Sequence, residues 1–505
     1  MAGLDMDFSF SNDPNGTRVE VKPFNLLLLG DFSGSGDGER IRLTPECPVL
    51  KVDIDNVDEL WMRFMPQLAF RLGSMEIELA PRDIDDFHPD ELYRKLPVFQ
   101  EMRAMRKKLL DPASSRGALE EILASGTVLE DTASDEAHSS AGDPAESKES
   151  ADTMFERLLG KSASQADRPA TGESGQLDAF IRKLVAPHVV QQADPRVDTA
   201  VDSLDLAASE LMRRILHNPA FQALEAAWRS LVDTLSQLEL DEVLGLHVCD
   251  ISRAELVNAL PDPGVSLQDS ALFELLVQRR QRAADDDPWT VIAGDYYFGT
   301  SGEDIALLTG LGAAAAVNGG VFLSAAEPGL LGCGSTAELA DARFWSTGDE
   351  AHRLWTTLRQ SPFAPHLGLA LPRILLRLPY GENGEEIDTF SFEEMPGRSH
   401  EDYLWGNPAY HCARLLAEQF SREHWAMSPG SHLDLGALPA YSYTEDGETK
   451  LQPCAELLIP ESTMTAMFEQ GLMPVISYRN RNTAVLGRFQ SIASPVTALA
   501  GAWAR

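Results

Sequence analysis

Any chemistry in this chain would start from two glycine-rich stretches. In the first, the apolar run Phe24-Asn25-Leu26-Leu27-Leu28-Leu29-Gly30 leads into Asp31-Phe32-Ser33-Gly34-Ser35-Gly36-Asp37-Gly38. A buried strand feeding such a loop can present backbone N–H groups to a phosphate. This loop lacks the lysine of a P-loop, and its aspartates would repel a phosphate, so its residues favour a turn capped by aspartates. In the second stretch, Gly310-Leu311-Gly312-Ala313-Ala314-Ala315 matches a loose dinucleotide fingerprint. A dinucleotide site needs its first glycine directly after a strand, so that the phosphate meets a helix N-terminus. Here the run follows Ile305-Ala306-Leu307-Leu308-Thr309, inside or near the end of a helical pattern. Its small residues read as a close-packed helix face.

Other constellations are weaker. His400-Glu401 and His411 are too far apart for one helix face to offer them to zinc. Gly299-Thr300-Ser301-Gly302 has the wrong order for a nucleophile elbow. Lone histidines such as His217 and His247 read as structural. The acid runs Asp285-Asp286-Asp287, Glu385-Glu386 and Glu393-Glu394 read as solvated loop charges. The five cysteines (Cys47, Cys249, Cys333, Cys412, Cys454) form no C-x-x-C pair and fit free thiols in a reducing compartment. No catalytic residue, metal ligand or cofactor is assigned on these grounds. The competing class is an α/β enzyme that binds a nucleotide or phosphosugar in the loops at residues 31–38 or 295–302.

The elements that would position these residues centre on residues 286–325. A short apolar strand ends in Asp295, Tyr296, Tyr297 and Phe298, Ser301 caps a helix over residues 303–317, and a second buried strand covers 321–325. That is the strand–helix–strand unit of a parallel α/β sheet. At 505 residues, with 44% hydrophobic and 24% charged, the chain is long enough for two cores. Residues 1–17 read as a loose tail, and 18–110 as a small α/β domain. Residues 111–175, rich in Ser, Ala, Gly, Asp and Glu, read as a flexible acidic linker. Residues 176–505 form the larger α/β domain, with strands expected at 244–250, 367–379, 455–459, 473–478 and 484–489.

The net charge of -36 argues against nucleic acid and anionic lipid as partners and would suit a partner with a basic face. The N-terminus has neither the basic nor the apolar region of a secretory signal, and no run has the length to cross a bilayer, so the expected location is the cytoplasm. Leu177-Asp178-Ala179-Phe180-Ile181-Arg182-Lys183-Leu184-Val185 reads as a short amphipathic helix, either packed on its own domain or captured in a partner's groove.

Several longer motifs resemble a known pair of proteins. Pro23-Phe24-Asn25-Leu26-Leu27-Leu28-Leu29-Gly30-Asp31-Phe32-Ser33-Gly34 and Asp86-Phe87-His88-Pro89 resemble the small subunit of the type VI secretion contractile sheath. Ile215-Leu216-His217-Asn218-Pro219-Ala220-Phe221, Asp295-Tyr296, Leu371-Pro372-Arg373-Ile374-Leu375-Leu376-Arg377-Leu378-Pro379-Tyr380-Gly381 and Asp402-Tyr403-Leu404-Trp405-Gly406-Asn407 resemble the large subunit. The resemblance covers roughly residues 20–110 and 177–490. It implies a small–large fusion with two sheath-type α/β domains and mixed sheets, and a structural role with no catalytic or cofactor residues. The partners it implies are the small and large sheath subunits, the inner tube protein, baseplate proteins and the AAA+ unfoldase that recycles the sheath. Carried over to this sequence, the unfoldase-binding helix falls on Leu177, Asp178 and Ile181. The family's large subunit also continues past the region matching residues 479–489, and the small-subunit-like part is short. These departures suggest a terminator, adaptor or accessory in place of a fully competent sheath subunit.

Overall fold

The computed structural model describes residues 22–36, 47–73, 75–121, 195–282, 287–346, 349–382, 384–397, 399–445 and 447–503. Its organising element is strand β1 (Phe24–Gly30), all seven residues of which are buried. A strand that is apolar on both faces needs cover on both faces and a neighbour on each side. Strands β2 (Val49–Val52), β3 (Leu68–Leu72) and β4 (Met75–Leu79) follow within the N-terminal segment; β3 and β4 form a separate hairpin. The next strands in the chain, β5 (Leu244–Asp250) and β6 (Val291–Phe298), supply the neighbours of β1. Both pair with it in parallel, with Phe24 opposite Leu244 and Leu26 opposite Val291. The N-terminal strand therefore sits inside the sheet of the C-terminal segment.

Strands β7 (Val321–Ala326) and β8 (Leu367–Leu371) extend the sheet in parallel. The short pair β9 (Ile374–Leu375) and β10 (Trp405–Gly406) lies apart from it. Strand β11 (Asp434–Ala437) is followed by a hairpin of β12 (Ser442–Glu445) and β13 (Glu448–Leu451), then by β14 (Met473–Ser477) and β15 (Thr483–Leu486). The main sheet has nine strands in the order β11-β15-β14-β8-β7-β6-β1-β5-β2. It is mixed: β14 joins β8 in parallel, while β15, β11 and β2 run antiparallel to their neighbours. The strand expected at residues 455–459 is absent. Cys454 O, just before that stretch, accepts from Leu375 N–H, and within the stretch Glu456 turns to φ 49°, which no ladder accommodates.

In the N-terminal segment the helices are α1 (Val57–Phe64), α2 (Pro89–Lys95) and α3 (Gln100–Leu110). Helix α4 (Pro195–Leu216) precedes α5 (Pro219–Gln237), whose first amides at Ala220 and Phe221 are capped by the Asn218 side chain. Helix α6 (Gly302–Asn318) links β6 to β7, completing the strand–helix–strand unit, and α7 (Ala409–Glu423) packs on β1, β6 and β7. The 310–315 run lies within α6. A Cβ on Gly310 would stand 2.8 Å from Leu272 Cδ2, and one on Gly312 would stand 3.0 Å from Leu367, so both glycines permit close packing of the helix.

The small-subunit-like and large-subunit-like segments share an aromatic core. Trp61 of α1 stacks on Trp228 of α5 with ring centroids 3.5 Å apart, and the Trp228 indole N–H donates to Phe32 O at 2.9 Å. Phe87 meets Phe221 edge-on. Asp90, on the first turn of α2, accepts hydrogen bonds from the backbone of Asp388 and Thr389. By compactness, residues 101–205 form a unit of their own. Within it Leu109, Ala118, Leu119 and Ala200 pack together, and Arg106 makes a two-armed pair with Asp205 at 2.8 and 3.2 Å.

Candidate functional site

In an open α/β sheet, ligands bind outside the carboxyl ends of the strands. Three acids stand at that edge here: Asp31 just after β1, Asp250 at the end of β5, and Asp295 in β6. The glycine-rich loop folds back on two of them. Ser35 N–H and Gly36 N–H donate to the Asp31 carboxylate at 2.9 and 2.6 Å, and Ser33 N–H donates to Asp250 Oδ1 at 2.9 Å. The amides that would cradle a phosphate are therefore occupied by the protein's own carboxylates. Burial raises the Asp31 carboxyl above the usual range against the pull of Gly36 and Ser35. The second candidate loop is filled in the same way. At the start of α6, Asp304 accepts from the Ser301 hydroxyl at 2.7 Å and from Gly299 N–H at 3.2 Å, while Asp304 N–H donates back to Ser301.

A cleft of about 1140 Å³ opens at this edge. Asp295, Glu303, Asp304, Glu327, Asp402 and Glu456 are among its acids, against the two arginines Arg253 and Arg373. Both arginines are already engaged, Arg253 with Glu303 and Asp304 at 2.6 and 2.7 Å, and Arg373 with Glu456 and Glu401 at 2.5 and 3.1 Å. A phosphate entering this cleft would meet mostly negative charge. Burial pushes the Asp295 carboxyl up to about 7, with the Asn407 side chain opposing and Asp31 adding to the rise. Among the described residues, no group of three or more His, Cys, Asp or Glu is placed to hold a metal ion. The five cysteines are free and buried, and burial pushes the Cys412 thiol up to about 12.

The family-like motifs do structural work around the cleft. Arg377 is 6% exposed and donates to Glu225 of α5 at 2.8 Å and to Glu394 at 2.7 and 2.9 Å. Tyr380 N–H also donates to Glu394, at 2.7 Å. The reading of Glu393-Glu394 as solvated charges therefore fails for Glu394, which is 1% exposed and neutralised by Arg377. His217 lies between Glu394 and Asp402 at 3.7 and 3.4 Å, a structural position. The Asn407 side-chain amide donates to Tyr296 O, the Tyr296 hydroxyl to Ile251 O, and the Tyr410 hydroxyl to Leu29 O. These bonds fix the ends of β1 and β6 and the segment that follows β5.

Glu225 and Glu456 were missed by sequence reasoning because they meet Arg377 and Arg373 from 152 and 83 residues away, whereas Glu394, 17 residues from Arg377, was read as a solvated charge. One signal was present: two arginines inside the apolar run Leu371-Pro372-Arg373-Ile374-Leu375-Leu376-Arg377 demand buried counter-charges. Leu177, Asp178 and Ile181 lie outside the described residues.

The occupied loops, the acidic cleft and the shared core define an α/β scaffold built around paired charges and packed strands. The family model described as EvpB/VC_A0108, tail sheath N-terminal domain, matches residues 198–493, and the chain belongs to that family. A second model, described as type VI secretion system VipA, matches residues 6–139. The chain is 29% identical over 348 residues to the type VI secretion system sheath protein TssC1 of Pseudomonas aeruginosa, a match that covers 66% of this chain and 70% of that protein. The chain is thus a structural component of the type VI sheath family in which small-subunit-like and large-subunit-like segments are fused. No helix among the described residues is long and apolar enough to cross a membrane.

Proposed function

We propose that this chain enters the type VI contractile sheath as a covalently joined small–large unit and serves there as a terminator or adaptor, with no catalytic activity. The observation that carries this reading is the placement of β1 between β5 and β6. A strand from the small-subunit-like segment completes the sheet of the large-subunit-like segment, so one chain supplies what a pair of subunits would otherwise supply.

The sheet edges favour the terminal role. Among the described residues, both outermost strands, β2 and β11, have four residues, and the pairing of β11 with β15 shifts register between Asp434 and Ala437. Short, irregular edges offer few ladder bonds to an added strand. The self-filled loops and acidic cleft support a role without nucleotide chemistry. Partners on this reading are the small and large sheath subunits, the inner tube protein, baseplate proteins and the AAA+ unfoldase, all met in the cytoplasm. Leu177, Asp178 and Ile181 are the residues proposed to engage the unfoldase; replacing Leu177 and Ile181 with Asp is expected to abolish its pull-down, and unchanged binding would remove that partner.

The test is electron microscopy of labelled chain with assembled sheath. Label confined to sheath ends supports the terminal role. Long tubes assembled by the purified chain alone would overturn it.

A further inference from the structure

The β14–β15 turn carries an unmatched positive charge. Five consecutive residues, Tyr478, Arg479, Asn480, Arg481 and Asn482, are exposed, and Asn480 holds the turn with φ 58°. Tyr478 is 45% exposed, and the Arg481 guanidinium lies over its ring, 5.8 Å from the centroid. Neither Arg479 nor Arg481 forms an ion pair among the described residues, although most of the arginines named above do. In a chain of net charge -36, two uncompensated arginines in one turn, beside an exposed aromatic ring, form a basic island. Arg and Tyr are the residue types that anchor protein interfaces.

The same edge of the sheet holds unmatched negative charge. Most acids of the cleft have a basic or histidine partner, but the exposed Glu327 meets none within ion-pair distance among the described residues. Tyr297 and Trp405 add aromatic surface to the lining. The turn and the cleft lie on one edge because β14 runs parallel to β8, whose end at Leu371 borders the cleft, and because Cys454 Sγ, 3.7 Å from Arg481 O, lies two residues before the lining residue Glu456.

We propose that the turn at residues 478–482 docks into the acidic cleft of a second copy of this chain, with Arg479 and Arg481 facing Glu327. Because turn and cleft share an edge, two copies that face each other across a two-fold axis exchange both contacts at once. Such an interface closes on itself and yields a pair, not a filament. The contact depends on charge, so it weakens with salt.

Sedimentation of the full chain tests this with two variants, Arg479→Glu with Arg481→Glu and Glu327→Arg, and an equimolar mixture of the two. The wild-type chain is expected to form dimers that dissociate as salt rises. Each variant alone is expected to weaken dimerisation about tenfold or more, and the mixture to recover it, because the mixed pair matches charge at both contacts, one native and one reversed. Thermal melts confirm that each variant is folded. A wild-type chain that stays monomeric at low salt, a dimer indifferent to both reversals, or a mixture that recovers nothing would each overturn the proposal.

Discussion

Arg377 and Glu394 form a two-armed ion pair inside the protein, with Nη1 2.7 Å from Oε2 and Nη2 2.9 Å from Oε1. The remaining side of the guanidinium is closed by Glu225, 0% exposed, on α5. Burying three charges is costly, and the cost is offset only while every member keeps its partners. Replacing Arg377 with Met leaves buried Glu394 without its guanidinium and Glu225 with Arg229 alone, and is expected to lower stability by about 3–5 kcal/mol in urea denaturation. The triple change with Glu225→Gln and Glu394→Gln is expected to recover a large part of that loss. Equal loss in the single and triple variants would show that the charges are not coupled.

The same network sets an acid limit. Burial alone would raise the Glu394 carboxyl, but the Arg377 guanidinium and the hydrogen bonds it receives hold it at about 2. A carboxyl held below its unfolded value contributes stability that is fully present above the unfolded pKa, near 4.5, and is lost as pH falls toward 2. Asp295 works in the opposite direction. Its folded carboxyl titrates near 7, so the folded state holds a proton there that the unfolded state releases near 3.8. Stability from this group therefore falls as pH rises from about 4 to 7. Asp295→Asn is expected to flatten that decline and to raise the melting temperature more at pH 8 than at pH 5. An equal shift at both pH values would contradict it.

The packed face of α6 makes a third prediction. At Gly310 an added methyl would stand 2.8 Å from Leu272 Cδ2 and 3.0 Å from Leu260 Cδ2. Gly310→Val is expected to cost about 1–3 kcal/mol by overpacking, although glycine is the poorer helix former. A variant as stable as wild type would return these glycines to a role other than packing.

Much of this scaffold can be read from local pattern. The strand–helix–strand unit around α6, the run at residues 24–30 and the cap at Asn218 each carry their signal within a few residues. The neighbours of β1 do not. A run such as Leu26-Leu27-Leu28-Leu29, buried on both faces, says that the strand is central, but Leu26 meets Val291 only through the folded chain. The ionic network was hidden for the same reason, since Glu225 and Arg377 are far apart in sequence and nothing in their spacing pairs them. Loop composition weighed against phosphate chemistry without removing it as the competing reading; in the folded chain Asp31, Asp250 and Asp304 take amides that a phosphate would need.

The central claim is that small-subunit-like and large-subunit-like segments build one sheet. The most direct test places a specific protease site between residues 122 and 194, cleaves the folded chain, and passes it over a sizing column without denaturant. The account predicts that the two pieces elute together, because β1 stays bonded between β5 and β6, and that they separate only in urea. Pieces that elute apart under native conditions would contradict it.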